Sequence, residues 1–439
     1  MKIKGEIRKD FSEIEELKSA GKGTKVRLNG IVHDVRDMSE FTFVILRKRD
    51  GVVQLILTKE QQKEYQLRNA DSIIVEGTVS SDDRAPGGFE IHVDAVEILS
   101  RAAETLPIDI AKWKLSSSID TLLALRPVAL RHLRQRAIFR IQEGLARGFR
   151  EYLTSQKFTE IHTPKIVAAG AEGGANIFKL DYFHHKAFLA QSPQFYKQAM
   201  VPVFERVFEI GPVFRAEKHS TARHLNEYTS MDFEMAFIDS FYDIMEMETG
   251  MLQYTMELLK RDYQKELDIL KVDIPDVSSI PVLRFDEAKE RAAAKYNKPV
   301  RNPYDMEPDE EVNICRMMKE EENSDFVFVT HYPSKKRPFY AMDDPENDKY
   351  TLSFDLLFRG MEVTTGGQRI HDYGEQVEKM KKKNIDPADF ESYLMSHKYG
   401  MPPHGGLGLG LERLTMKLIG LDNVRYTCLF PRDIKRLEP

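Results

Sequence analysis

The sequence predicts an α+β protein in two domains: a small N-terminal β-barrel, then a larger domain built on antiparallel strands flanked by helices. Three observations carry this. At 439 residues the chain exceeds what one hydrophobic core usually organises. Its first hundred residues run in short stretches of alternating apolar and polar side chains, whereas apolar positions in 127–156 recur at helical spacing. Further on, two β-branched and aromatic runs within 206–237 flank a loop packed with charge, the pattern of two antiparallel strands.

In the N-terminal part, KVRLNGIVHDVRD, FTFVILRKRDG and VVQLILT show strand character, with Gly30 and Asp50-Gly51 as punctuation. A second strand pair follows at 72–79 and 88–98, and a short helix is expected around 59–69. About five short strands with one intervening helix is the pattern of an OB-fold barrel, although another small barrel has a similar signature. OB barrels bind single-stranded nucleic acid by stacking bases on aromatics and reading their edges with amides. Phe43 and Gln54 are candidates for these tasks, and Phe43 is equally suited to the core.

Residues 101–127 hold two prolines, a serine cluster and the only tryptophan, Trp113, and read as an ordered hinge. The expected partition is a barrel domain at 1–103, a hinge at 104–130 and a large domain at 131–439. One long amphipathic helix is expected from 127 to 156, with Ile138, Ile141, Leu145, Phe149 and Leu153 on its apolar face. In the strand that follows, Pro164 lacks an amide donor, so the strand belongs at an edge, where another subunit can dock. The cluster 343–348 reads as a surface turn, and the basic run 379–383 as the solvated face of a helix.

Composition excludes several classes. Hydrophobic residues make up 41% and charged residues 31%, with a net charge of −6, so no global basic field draws the protein to nucleic acid. The two cysteines, Cys315 and Cys428, form neither a C-x-x-C nor a Cys/His cluster, which fits a reducing compartment without structural zinc. No signal-like or membrane-spanning run is present, so a cytoplasmic location is expected.

The chemistry-bearing residues lie in the second part. Arg215 ends an apolar strand and needs a partner there, because an unpaired buried guanidinium is costly. The loop after it carries Glu217, Arg223 and His224, and it is either a solvated tip or a phosphate clamp. Gln194 and Lys197 share one face of a short helix beside the glycine-rich loop that carries Glu172. Asp355 and Glu362 stand at the ends of two strand-like runs around Arg359-Gly360. They are a pair of solvated acids or a site for Mg²⁺, a hard ion that takes oxygen ligands and bridges phosphates. Thr365, Gly366, Gly367 and Arg369 follow, the arginine offering a planar fork suited to a carboxylate. In HGGLGLGLERL, glycines 406, 408 and 410 leave one strand face bare ahead of a helix opened by Glu412 and Arg413. The spacing lacks the ribose-binding acid of a dinucleotide fold. Taken together, Arg215 and Arg413 as clamps, the two acids and the glycine floor suggest an ATP site.

The Pro164 strand, FRAE at 214–217 and GLGLER at 408–413 resemble motifs 1, 2 and 3 of the class II aminoacyl-tRNA synthetases. With an OB domain in front, the resemblance is to the aspartyl/asparaginyl/lysyl subgroup. AEGG, QSPQFYKQ, RHLNE, GGQRIHD, YGMPPHGG and the terminal LFPRDIKRLEP are similar to the archaeal-type aspartyl enzymes almost end to end. The resemblance implies a catalytic domain built on an antiparallel sheet flanked by helices, and a ligase that joins L-aspartate to tRNA(Asp) through an aspartyl-adenylate. It implies that Arg215, Glu217 and Arg413 are catalytic. ATP would be held by these with Arg223, His224, Leu225, Tyr228, Glu362 and Gly410. Glu172, Gln194, Lys197, Arg215, Asp232, Thr365 and Arg369 would surround aspartate, and Asp355, Glu362 and Thr365 would hold Mg²⁺.

In the barrel, Phe43 and Gln54 match the anticodon-reading positions of the family. His33 and Pro86 stand where the strictly tRNA(Asp)-specific enzymes carry Trp and Lys, a relaxed pattern that implies charging of tRNA(Asn) as well and an amidotransferase downstream. A homodimer is implied too. Ala171, Ala175 and Ile31 depart from the family's usual Thr, Thr and Trp. The competing readings are an asparaginyl-tRNA synthetase, which Asp232 and Ile370-His371 argue against, and a synthetase-like RNA-binding paralogue that charges nothing.

Overall fold

The computed structural model describes residues 5, 11–168, 170, 176–218 and 221–439. By its contacts the chain divides into two compact units, Met1–Leu133 and Arg134–Pro439.

In the first unit, strands Lys25–Asp37, Phe41–Arg47, Val52–Thr58, Ser72–Ser81 and Phe89–Ser100 form a closed barrel. The third and fifth strands pair parallel, and the first and fourth pair antiparallel to close it, the connectivity of an OB-fold. Period-two alternation sends Val53, Leu55 and Leu57 inward, where all three are fully buried against Leu28, Val44, Leu46, Ile73 and Val75. Helix Lys59–Tyr65 starts on a capping box in which Thr58 and Gln61 exchange bonds.

The segment expected as a hinge carries two short helices, Ile119–Ala124 and Arg126–Ala129. The single helix expected over 127–156 is therefore broken, and its main part is Leu133–Ser155. The amides of Arg131 and His132 bond three residues back, and the His132 ring is tied to the Lys112 carbonyl at 2.8 Å.

In the second unit an eight-stranded sheet runs in the order Val282–Arg284, Phe326–Thr330, Ser353–Phe358, Glu362–Gln368, His404–Gly410, Glu227–Ala236, Arg206–Phe214, Thr159–Glu160. The inner pairs are antiparallel, while both outermost strands pair parallel with their neighbours, so the sheet is mixed at its edges. The strand before Pro164 is one of those edges.

Helices Leu133–Ser155 and Tyr242–Asp262 pack with Leu407, Leu409, Phe233 and Phe354 in the main core. Their close approach depends on Gly148, where an added Cβ would lie 2.5 Å from Thr255 Oγ1. Leu407 and Leu409 face this core, so the alternate glycines of the same strand face the other way.

Two surface expectations need correction. Residues 343–348 include a small hairpin, Asp343–Asp344 with Asn347–Thr351, rather than a simple turn. The basic run 379–383 is not uniformly solvated. Met380 is fully buried, Lys379 is paired with Asp343 and donates to Ser334 Oγ at 2.8 Å, and Lys383 donates to the Ser334 carbonyl at 2.8 Å. Lys381 and Lys382 remain exposed.

Glu248, on the Tyr242–Asp262 helix, is fully buried beneath the sheet and accepts the Thr364 hydroxyl at 2.6 Å. Burial, with a contribution from the Asp355 charge, pushes its carboxyl up to about 8, although the Thr364 bond opposes this. Above the ordinary value of 4.5 the unfolded chain releases this proton while the folded chain keeps it, so stability falls as pH rises from about 4.5 to about 8. Glu248→Gln keeps the shape and the acceptor but removes the titration. Chemical denaturation at pH 5 and pH 8 should show a variant more stable than the parent at pH 8 by roughly 1–3 kcal/mol, with little difference at pH 5. An equal effect at both pH values would contradict this.

Candidate active site

The cleft of the second unit opens over the bare face of the His404–Gly410 strand. One end is a buried cluster of four charges. Lys197, on helix Gln194–Phe204, donates to Asp232 Oδ1 at 3.0 Å and to the Leu407 carbonyl at 2.8 Å, and lies 3.3 Å from Glu234 Oε2. Arg369 donates to Glu234 Oε1 and to the Gly406 carbonyl, both at 2.9 Å. The four residues are at most 5% exposed. Burial opposes charge on Glu234, but Arg369 and Lys197 outweigh it and hold the carboxyl below its ordinary range.

The glycine strand makes this cluster possible. In register, Asp232 faces Gly408 and Glu234 faces Gly406. A Cβ at Gly406 would lie 2.3 Å from Glu234 Oε2 and 2.1 Å from the Phe233 carbonyl, so a side chain there would expel the carboxylate. Gln194 and Thr365 also line this part of the cleft, as do Ser230 and Tyr340. The Ser230 hydroxyl donates to Asp232, and Arg369 lies 5.4 Å from the Tyr340 ring centroid.

The other end is lined by arginines. Arg215 follows the Arg206–Phe214 strand and lies 6.0 Å from the Tyr228 ring centroid. Arg413, near the start of helix Leu411–Ile419, donates to the Glu362 carbonyl at 3.2 Å and sits 3.6 Å from its Oε2. Arg223 is paired with Glu311. His224 shares a 2.7 Å hydrogen bond with Thr221, and burial together with Arg413 pushes its imidazole below the ordinary value. Glu217, Leu225 and Gly410 complete this wall. Glu412, from the same helix, accepts the Thr229 amide at 3.0 Å.

Asp355 is set off from the cleft proper and lines an adjoining cavity with Glu362, Thr365, Glu311 and Arg337. Glu362 and Thr365 border both spaces. Asp355 and Thr365 are cross-strand partners, and the Thr365 hydroxyl donates to Glu362 Oε1 at 3.2 Å. Arg337 donates to Asp355 Oδ1 at 2.7 Å. Burial and the nearby Glu362 raise Asp355, whereas at Glu362 burial is outweighed by Arg413, Arg215 and Arg337, which lower it. Two carboxylates and a hydroxyl, all hard oxygen donors at the phosphate end, fit Mg²⁺. Among the described residues no group of three or more His, Cys, Asp or Glu gathers for a metal, so further ligands would come from water and phosphate.

The cleft thus unites Gln194, Lys197, Arg215, Glu217, Arg223, His224, Leu225, Tyr228, Asp232, Glu362, Thr365, Arg369, Gly410 and Arg413. Glu172 lies outside the described residues, as do Ala171 and Ala175. The remaining candidates belong to the barrel unit. Phe43 packs edge-on against Phe41 at 4.7 Å, and Gln54 donates to Glu90 Oε2 at 3.0 Å. Pro86 is exposed and His33 is buried.

Sequence reasoning missed Glu234, Arg337 and Glu311. A signal for Glu234 existed: it stands two residues from Asp232 on one strand face, opposite alternate glycines. Arg337 and Glu311 sit in a region without motifs and reach the site only through tertiary packing.

Comparison with known proteins gives the family. The family of class II tRNA synthetases (D, K and N) matches residues 118–434, and the OB-fold nucleic acid binding domain matches residues 26–99. The aspartate–tRNA(Asp/Asn) ligase of Deinococcus radiodurans is 46% identical over 95% of this chain and 96% of its own length. That of Thermus thermophilus is 47% identical over 97% and 99%. The crystal structure of asparaginyl-tRNA synthetase from Pyrococcus horikoshii with asparaginyl-adenylate superposes with a TM-score of 0.90 at 32% identity, covering 98% of this chain and 100% of that one. Matches of this extent, over a cleft that joins a buried charge cluster to a bank of arginines, place the chain: it belongs to the class II aminoacyl-tRNA synthetases of the D, K and N group.

Proposed function

We propose that the protein is an aspartate–tRNA ligase that charges both tRNA(Asp) and tRNA(Asn). The observation that carries this is the Lys197–Asp232–Glu234–Arg369 cluster beside Arg215 and Arg413, together with relatives at 46% and 47% identity that bear the aspartate–tRNA(Asp/Asn) name. An aspartate side chain brings a carboxylate to Lys197 and Arg369, two cations already stripped of water. Asp232 takes the ammonium side. Asparagine would turn amide donors toward those same cations. The similarity to an asparaginyl enzyme favours asparagine as the second reading.

In the first step the α-carboxylate of aspartate attacks the α-phosphorus of ATP, forming the mixed anhydride and releasing pyrophosphate. Arg215 stabilises charge on the α-phosphate, and Arg413 and Arg223 hold the polyphosphate, with His224, Leu225 and Tyr228 around the nucleotide. Asp355, Glu362 and Thr365 would hold Mg²⁺, which neutralises phosphate charge when bound. In the second step a hydroxyl of the terminal tRNA ribose attacks the activated carbonyl and AMP leaves. No enzyme nucleophile takes part, and the work is positioning and charge stabilisation. The barrel domain, 1–103, reads the anticodon through Phe43 and Gln54. The protein acts as a homodimer, and aspartyl-tRNA(Asn) is passed to an amidotransferase. No helix among the described residues is long and apolar enough to cross a membrane, and a cytoplasmic location is proposed.

Two outcomes check this reading. Arg413→Ala should lower kcat/KM for adenylate formation by roughly 10²-fold or more, measured as pyrophosphate exchange, and an effect within about twofold would remove it from the clamp. Aminoacylation of purified tRNA(Asp) and tRNA(Asn) transcripts should load aspartate on both. Charging of tRNA(Asp) alone would show that His33 and Pro86 do not relax specificity.

A further inference from the structure

Behind the amino-acid end of the cleft runs a chain of hydrogen bonds among buried side chains. Gln194 donates its amide to Gln198 Oε1 at 3.0 Å, Gln198 Nε2 meets His404 Nε2 at 2.9 Å, and His404 Nδ1 lies 2.9 Å from the Pro402 carbonyl. Gln198 and His404 are fully buried and Gln194 is 4% exposed. Only Gln194 lines the cleft.

One proton sets the direction of the bonds along this chain, and the Gln198 amide also reaches the buried Tyr393 hydroxyl. A carbonyl only accepts, so His404 Nδ1 carries hydrogen. Burial pushes the imidazole down to about 4, so it is neutral near pH 7 and Nε2 is bare. A bare nitrogen accepts, which turns the amide nitrogen of Gln198 toward His404 and its oxygen toward Gln194. That oxygen in turn takes the Gln194 amide nitrogen, and the Gln194 carbonyl oxygen is left for the cleft. Were the His404 tautomer reversed, each amide would favour the opposite turn, and Gln194 would offer donors to the cleft.

We propose that His404, acting through Gln198, is a positioning residue that fixes the carbonyl oxygen of Gln194 toward the α-ammonium of bound aspartate, and so sets the site's demand for an amino group. An ammonium has donors only, and an amide turned the wrong way would set donor against donor. The inference rests on the aspartate reading above. It adds two residues, Gln198 and His404, that do not line the cleft.

The test uses the full-length protein and pyrophosphate exchange, with KM for aspartate and for ATP, and the inhibition constant of succinate, which is aspartate without its amine. Exchange by the wild-type protein with aspartate checks the underlying reading, and its absence would overturn that reading and this inference together. His404→Leu should raise the aspartate KM roughly tenfold, the scale of one hydrogen bond to a charged group, with ATP KM and the succinate constant within about twofold. His404→Gln, whose amide oxygen can accept from Gln198, should recover most of the loss. If His404→Leu does not fold, Gln198→Met breaks the same chain and should give the same split. The inference is overturned if aspartate and succinate weaken by one factor, as a loosened pocket would give, or if the aspartate KM does not move.

Discussion

Four charges buried together, Lys197, Asp232, Glu234 and Arg369, constrain the second unit more than any other contact. Each alone would be expensive to take out of water, and each is tolerable only because the others are there. Two cations and two anions sum to zero, so the cluster is stable before substrate arrives. Its members come from a helix, a strand and the residue just past the end of the Glu362–Gln368 strand. Closing it therefore fixes how helix Gln194–Phe204 seats on the sheet. It also dictates the glycine at 406, since the space a side chain would take belongs to a carboxylate.

At the other end of the cleft the same logic runs with greater exposure. Arg223 with Glu311, Arg337 with Asp355 and Arg413 with Glu362 are partly buried pairs in which each arginine keeps donors for another acceptor. On the proposed reading, phosphates would draw on these arginines, and Asp355, Glu362 and Thr365 would hold Mg²⁺, which would neutralise phosphate charge. The Lys197 end is buried and internally paired, and the Arg413 end is built from arginine–carboxylate pairs. One selects and the other accommodates charge that develops during reaction.

Much of this was legible in the chain. Strand alternation and a helix between the third and fourth strands announced the barrel, because period two is set by the backbone itself. An arginine ending an apolar strand required a partner, and Arg215 does sit on the cleft wall. The alternate glycines marked a bare strand face as the floor of an ATP site; at Gly406 and Gly408 the side chains lying against it are those of Glu234 and Asp232. What could not be read was tertiary. The basic run at 379–383 splits because Asp343 and Ser334, distant in sequence, reach Lys379. The helix expected from 127 breaks because His132 finds the Lys112 carbonyl. Glu311 and Arg337 carry no motif, and only the folding of a region without motifs onto the sheet brings them to Asp355 and Glu362.

The central claim is that a pre-paired, desolvated pair of cations chooses a carboxylate over its amide. Pyrophosphate exchange by the wild-type protein, with L-aspartate and L-asparagine supplied separately, tests it most directly. The account predicts exchange with aspartate and none above background with asparagine. Exchange driven by asparagine at a comparable or greater rate would contradict it.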